Sequence, residues 1–118
     1  MQKATVYGIP NCDSVKKGIT WLQNNGFEVT LFNFKKEPVT TAMLQRWQQA
    51  VTHTPLLNKK STAYKNLSEA DQLAVNNEVT TFKIIQQNPL LIKRPVIEVG
   101  KKVAIGFDET LYQSIFLT

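Results

Sequence analysis

The sequence predicts an α/β fold in which one mixed four-stranded sheet carries helices on both faces and a helical insertion between its second and third strands. Residues 4–34 have the pattern strand, helix, strand; residues 40–87 have helical spacing; residues 96–116 have the pattern strand, strand, helix. Neither a parallel strand pair nor a hairpin is large enough to be stable alone, so the four strands are expected to join one sheet.

The first three elements form a strand–helix–strand unit. Residues 4–8 are short, β-branched and aromatic and stop at a Gly-Ile-Pro turn, which is typical of a strand. The next element is an amphipathic helix ended by Gly26, with apolar residues at helical spacing at Val15, Ile19 and Leu22. Residues 27–34 alternate with period two and predict a second strand, parallel to the first through a right-handed crossover.

The middle of the chain, from about residue 40 to residue 87, is predicted to be helical. Thr40 or Thr41 caps its first helix, because an apolar pattern of period 3.6 begins directly after them. Ser68 caps a later helix, and another helix runs from Glu78 to Gln87 and stops before a proline.

The end of the chain is predicted to be a hairpin followed by a helix. An extended approach at residues 90–95 leads into strands at 96–99 and 102–105. A tight turn at 100–101 joins these strands, and Asp108 caps the last helix.

The length and composition are those of one soluble globular domain, predicted to span residues 1–118. The chain is 42% hydrophobic and 19% charged, and its one cysteine cannot form an internal disulfide, which indicates a reducing cytoplasm. It has no signal pattern and no apolar run long enough for a membrane span. The net charge of +5 favours anionic partners, but the basic residues lie in scattered pairs without interleaved aromatics, which disfavours nucleic-acid binding.

The single cysteine, Cys12, is the main candidate for chemistry. It lies between the end of a strand and the start of a helix, where free backbone N–H groups and the helix dipole favour a thiolate. Ser14 adds a hydroxyl donor, and Lys16 and Lys17 add positive charge one turn further on. Free cysteines are often small buried core residues, but a turn after Pro-Asn is a poor place for one. A CxxC dithiol mechanism is excluded, because no second cysteine is present.

Other polar residues carry weaker signals. Arg94 before Pro95 is consistent with a plain strand start, and Lys59-Lys60 in a Ser/Thr-rich loop is consistent with a solvated turn. His53, the only histidine, is more typical of a surface residue than of a general base. One histidine and one cysteine do not make a metal site, and no glycine-rich phosphate loop is present. We therefore expect no metal and no tightly bound cofactor.

Four segments together resemble the ArsC/Spx family over nearly the whole chain, and in particular its YffB-like branch. The segments that carry the resemblance are Tyr7–Asp13, Leu56–Lys60, Pro89–Val96 and Val103–Glu109. The resemblance implies a thioredoxin-like fold with the helical insertion placed as above. It also implies that Arg94 and Pro95 lie beside Cys12, that the Arg94–Pro95 peptide bond is cis, and that Pro95 faces the reactive sulfur.

The resemblance further implies an anion-binding site around a nucleophilic thiolate. In the glutathione-dependent arsenate reductases of this family, a cysteine attacks the oxyanion while three arginines hold it, and Cys12 and Arg94 match two of these positions. The loop arginine falls at Lys59 or Lys60, where lysine keeps the charge but loses the bidentate fork, and the third arginine is replaced near Gly106. The residues predicted to bind substrate or anion are Asn11, Ser14, Lys59, Lys60, Arg94 and Pro95.

Three functions follow as alternatives. The first is a glutathione-dependent thiol reductase or transferase, in which glutathione resolves a mixed disulfide because the chain has no resolving cysteine. The second is a glutathione- or glutaredoxin-dependent arsenate reductase, which the missing arginine disfavours. The third is a non-enzymatic module that binds RNA polymerase in the manner of Spx regulators, which is disfavoured because Val15 replaces the second cysteine of CxxC.

The predicted partners follow from these alternatives. They are glutathione as co-substrate, another small thiol or disulfide or an oxyanion, and glutaredoxin as a protein partner. No nucleic acid and no membrane is expected as a partner, and the chain is expected to be a monomer.

Overall fold

The structure, a computed structural model, describes residues 2–117. Its strands and helices in chain order are β1 (Lys3–Gly8), α1 (Asp13–Asn24), β2 (Glu28–Asn33), α2 (Thr41–Ala50), α3 (Thr62–Lys65), α4 (Glu69–Ala74), α5 (Glu78–Gln87), a 3₁₀ helix (Pro89–Leu91), β3 (Val96–Val99), β4 (Lys102–Ile105) and α6 (Glu109–Phe116). Among the described residues, those up to Glu37 and those from Arg94 onward form one unit, called here the sheet unit. Pro38–Lys93 form a second, called the helical unit. The extent of the domain as residues 1–118 stays a prediction.

The four strands form one mixed sheet in the order β2-β1-β3-β4. β1 and β2 are parallel, with Lys3 opposite Glu28. β3 is antiparallel to β1, with Val6 opposite Ile97, and β4 is antiparallel to β3. This is the thioredoxin-like arrangement that the resemblance implies, so the predicted fold class is confirmed.

Side-chain caps begin the helices at the predicted places. The side chains of Thr40, Ser68 and Asp108 each accept a hydrogen bond from the backbone N–H three residues on, at 3.2, 3.1 and 3.0 Å. These bonds satisfy N–H groups that have no partner inside the helix. The predicted caps of α4 and α6 are confirmed, and of the two residues predicted for α2 the cap is Thr40.

One segment differs from its prediction. The stretch from residue 90 was expected to be extended, but it begins inside the 3₁₀ helix at Pro89–Leu91. The Asn88 side chain accepts a hydrogen bond from the Leu90 N–H at 3.2 Å, and Pro89 suits the first helical position because it has no N–H to lose.

The core of the sheet unit lies between the sheet and helices α1 and α6. Its buried residues are Ala4, Val6, Val15, Leu22, Phe27, Ile97, Val99, Ala104, Tyr112 and Phe116. Side chains on the opposite face of the strands are buried as well, among them Tyr7, Val96 and Val103. Buried side chains thus lie on both faces of the sheet.

The helical unit has a core of its own. Its most buried residues are Leu44, Trp47, Leu56, Ile85, Leu91 and Ile92. Within residues 38–93 the β-structure is a single isolated bridge between Leu57 and Ile92, so the insertion is helical as predicted, with wider limits than 40–87. No helix within residues 2–117 has the length and apolar character that crossing a membrane requires.

Candidate functional site

Cys12 is the N-cap residue of α1 and is half-buried. Its backbone is extended, and its carbonyl accepts the first hydrogen bond of the helix from the Lys16 N–H at 3.0 Å. The backbone N–H groups of the first turn of α1 point toward its side chain. The sulfur therefore lies at the positive end of a 12-residue helix with a path to solvent.

The surroundings of Cys12 lower the pKa of its thiol. Burial raises the pKa, because the thiolate loses hydration, but other groups outweigh this effect. The backbone N–H of Val15 is the largest of them, followed by the hydrogen bond and the charge of Arg94 and then by the N–H of Ser14. The thiolate, which is the nucleophilic form, is therefore favoured at lower pH than in an ordinary thiol.

Arg94 and Pro95 lie directly before β3 in the sheet unit. The Arg94 side chain hydrogen-bonds to Cys12, so the implied proximity of these residues is confirmed. The Arg94–Pro95 peptide bond is cis, as the resemblance implied. Pro95 is buried and Arg94 half-buried.

Two glycines allow α1 to approach the strands closely. A Cβ atom at Gly18 would lie 3.1 Å from the Cγ of Pro95, and one at Gly8 would lie 2.6 Å from the Cγ2 of Val15. These contacts position the proline and the main N–H donor to the Cys12 sulfur. Sequence reasoning missed both glycines, although a glycine inside a helix, as at Gly18, costs about 1 kcal/mol relative to alanine and so signals close packing.

The other residues predicted near Cys12 take varied positions. Asn11 is exposed in the preceding turn. Ser14 acts on the sulfur through its backbone N–H, whereas the sequence predicted its hydroxyl as the donor. Lys16 and Lys17 are exposed on α1, and the Nζ of Lys17 lies 6.0 Å from the ring centroid of Phe107, at the limit of a cation–π contact.

Lys59 and Lys60 belong to the helical unit. Both are exposed, in a turn where the Asn58 side chain accepts a hydrogen bond from the Lys60 N–H at 3.1 Å. The Ser61 hydroxyl donates to the Asn58 carbonyl at 2.7 Å and closes the turn. These two lysines line a cavity of that unit, whereas Arg94 is the cation that contacts Cys12 in the sheet unit.

The site in the sheet unit combines a thiol of lowered pKa with a guanidinium. Such a pair can attack an electrophilic sulfur or an oxyanion, and Arg94 can hold an anionic group beside the reacting sulfur. Within residues 2–117 no three His, Cys, Asp or Glu side chains converge on one point. The lowered pKa of Cys12 and the adjoining guanidinium of Arg94 support nucleophilic attack by sulfur.

Comparisons with known proteins show similarity over most of the chain. The model of the ArsC family matches residues 7–115. An uncharacterized protein of Haemophilus influenzae is 37% identical over 112 residues, which cover 95% of this chain and 97% of that protein. Global transcriptional regulator Spx 1 of Oceanobacillus iheyensis is 28% identical over 89% of this chain and 80% of its own length. The solved structure of the YFFB (PA3664) protein has a TM-score of 0.86 and 29% identity, and covers 95% of this chain and 97% of that one.

Proposed function

The chain belongs to the ArsC family, and from this premise we propose that it is a thiol oxidoreductase with Cys12 as nucleophile and glutathione as co-substrate. The observation that carries the proposal is the contact between Cys12 and Arg94 at the start of α1. It raises the fraction of thiolate at neutral pH, and the thiolate is the form that attacks disulfides.

The proposed reaction reduces a disulfide substrate by two electrons. The Cys12 thiolate attacks one sulfur, the substrate S–S bond breaks, and half of the substrate leaves as a thiolate. A glutathione thiolate then displaces the other half from Cys12 and takes its place. A second glutathione attacks this mixed disulfide, releases glutathione disulfide and restores the Cys12 thiolate. An external thiol is needed because Cys12 is the only cysteine.

Arg94 serves two steps of this sequence. It stabilises Cys12 as the attacking thiolate, and it stabilises the same thiolate as the leaving group of the last step. A leaving thiol of lower pKa departs faster, so one guanidinium accelerates the beginning and the end of the cycle.

Arsenate reduction is the weaker candidate. The oxyanion is held by three arginines in the arsenate reductases that the chain resembles, but this chain has two arginines in all, Arg46 and Arg94. Lysine supplies charge that can bind an oxyanion, but it lacks the fork that holds the oxyanion in a fixed orientation for attack by sulfur. We therefore expect weak arsenate turnover or none.

The proposal is tested first by intact mass after incubation with glutathione disulfide. Wild type should gain one glutathione, and Cys12→Ser should gain none. Turnover of a small mixed disulfide and of arsenate is then compared for wild type, Cys12→Ser and Lys60→Arg, with glutathione present.

Two results would overturn the proposal. Arsenate turnover on the order of 1 per second or more, with the disulfide untouched, would identify an arsenate reductase. If neither substrate reacted and wild type bound RNA polymerase, the protein would be a non-enzymatic module.

A further inference from the structure

The helical unit contains a basic cavity of about 670 Å³, in the size range of small-molecule sites. Three lysines line it: Lys59, Lys60 and Lys93. All its lining residues lie within the helical unit, and none of them is acidic. Three like charges around one cavity repel one another, so an anion that enters it lowers the electrostatic free energy.

Backbone hydrogen bonds bring Lys93 beside the segment that precedes the other two lysines. The N–H of Lys93 donates to the Leu56 carbonyl at 2.7 Å, and the N–H of Asn58 donates to the Leu91 carbonyl at 2.8 Å. Leu57 and Ile92 form an antiparallel bridge between these bonds. Lys93 is therefore held next to the Lys59-Lys60 turn, although more than thirty residues of chain separate them.

The type of cation indicates the type of anion. The cavity carries lysines and no arginine. An ammonium group is a compact point charge that binds phosphate without a fixed geometry. A diphosphate places more negative charge at one end of a ligand than a single carboxylate does, and so matches three lysines better. Thr81 also lines the cavity. Its hydroxyl donates to the Asn77 carbonyl at 2.6 Å, so its oxygen can still accept a hydrogen bond from a donor group of the ligand.

The remaining wall of the cavity is apolar. Pro55, Leu57 and Val75 form it. Inorganic phosphate would leave this wall in contact with water, whereas a ligand with an apolar or aromatic body would cover it. We propose that the cavity binds a phosphorylated organic molecule, with its phosphates on the three lysines and its body against the apolar wall.

Calorimetric titration of the full chain with ADP, inorganic pyrophosphate and citrate tests this proposal. ADP should bind saturably and more tightly than pyrophosphate, which has the same diphosphate but no body. Its affinity should fall as salt is raised. Lys59→Gln and Lys93→Gln should each weaken ADP binding about fivefold, the factor for one charge pair at contact in a water-like medium.

Two controls keep the test specific. Lys83→Gln removes an exposed lysine of α5 that does not line the cavity, and it should leave ADP affinity unchanged. Cys12→Ser should also leave it unchanged, because Cys12 is not among the lining residues. A negative disulfide reductase assay would therefore contradict only the proposed reductase function. A lack of ADP binding would contradict only the proposed phosphate-binding cavity.

Three results would overturn the proposal. They are the absence of saturable ADP binding, an equal loss of affinity in Lys83→Gln, and citrate binding as tight as that of ADP. Thermal unfolding of each variant beforehand confirms that it is folded. If Lys93→Gln fails to fold, the loss of ADP affinity is measured on Lys59→Gln and Lys60→Gln instead.

Discussion

Gly18 packs against Pro95, so that α1 passes the loop before β3 closely enough that a side chain at residue 18 would displace its neighbours. A Cβ atom at this position would lie 3.1 Å from Pro95 Cγ and 3.5 Å from Ile97 Cδ1. The residue before Pro95 is Arg94, and Cys12 begins the same helix as Gly18. One contact therefore links the helix that begins at Cys12 to the loop that carries Arg94.

Gly18→Val is expected to destabilise the protein. The added isopropyl group enters a buried space already filled by Pro95 and Ile97, and overpacking of this kind costs about 1–3 kcal/mol. Urea unfolding measures the loss. Thr20→Val on the exposed side of α1 is the matched control and should change the free energy of unfolding by less than about 0.5 kcal/mol. Equal effects of the two substitutions would show that Gly18 has no packing role.

Arg94→Ala is expected to raise the pKa of the Cys12 thiol, because its hydrogen bond and its charge both favour the thiolate. Alkylation of Cys12 by iodoacetamide at pH 7 should slow a few-fold, and its pH profile should move to higher pH. Arg46→Ala, which removes the other arginine, should alkylate like wild type. A wild-type rate that rises only near the ordinary thiol pKa, unchanged in Arg94→Ala, would return Cys12 to a structural role.

The stability of the protein is expected to rise with pH through the titration of Cys12. The thiol has its ordinary pKa of 9.0 in the unfolded chain and a lower pKa in the folded one. Between these two values the unfolded state holds more protons, so the free energy of unfolding increases with pH and levels off above pH 9.0. The contribution is lost as pH falls through the folded pKa. Urea unfolding of wild type and Cys12→Ser across this range should diverge, and parallel curves would contradict the lowered pKa.

Tyr112→Phe is expected to cost about 1–3 kcal/mol. The buried Tyr112 hydroxyl donates to the Gly106 carbonyl, and its removal takes that donor away from the carbonyl while the ring packing is kept. The pKa of Tyr112 is raised by burial, so the donor stays protonated at all ordinary pH values. Tyr64→Phe, at a half-buried tyrosine of α3, is the control and should shift the urea midpoint less than Tyr112→Phe does. A loss no larger than that of the control would show that the Gly106 carbonyl finds another partner.

The parts of the fold that depend on local chemistry were predictable from the sequence. Thr40, Ser68 and Asp108 cap their helices because a short polar side chain directly before an apolar pattern of period 3.6 can accept a hydrogen bond from a free N–H of the helix. The lowered pKa of the Cys12 thiol was predictable for the same reason, since a strand end followed by a helix start places the sulfur near free backbone N–H groups.

The parts that depend on distant residues were not predictable. No periodicity connects Lys93 to the Lys59-Lys60 turn, because the pairing of Leu57 with Ile92 joins segments far apart in the chain. Val79 lies at helical spacing with Phe82 on α5, yet Val79 is 66% exposed, whereas Phe82 is buried. Spacing defines a face of a helix, but it does not say how much of that face a neighbour covers.

The contact between Gly8 and Val15 makes these two positions interdependent. The N–H of Val15 is the main donor to the Cys12 sulfur, and its Cγ2 occupies the space that a side chain at residue 8 would need. Alanine at residue 8 should therefore be poorly tolerated alone and better tolerated with Val15→Ala, which removes the opposing methyl groups. In any redesign of this protein, the residues at positions 8 and 15 have to be chosen together. A side chain at position 8 needs the space that the methyl groups of Val15 fill.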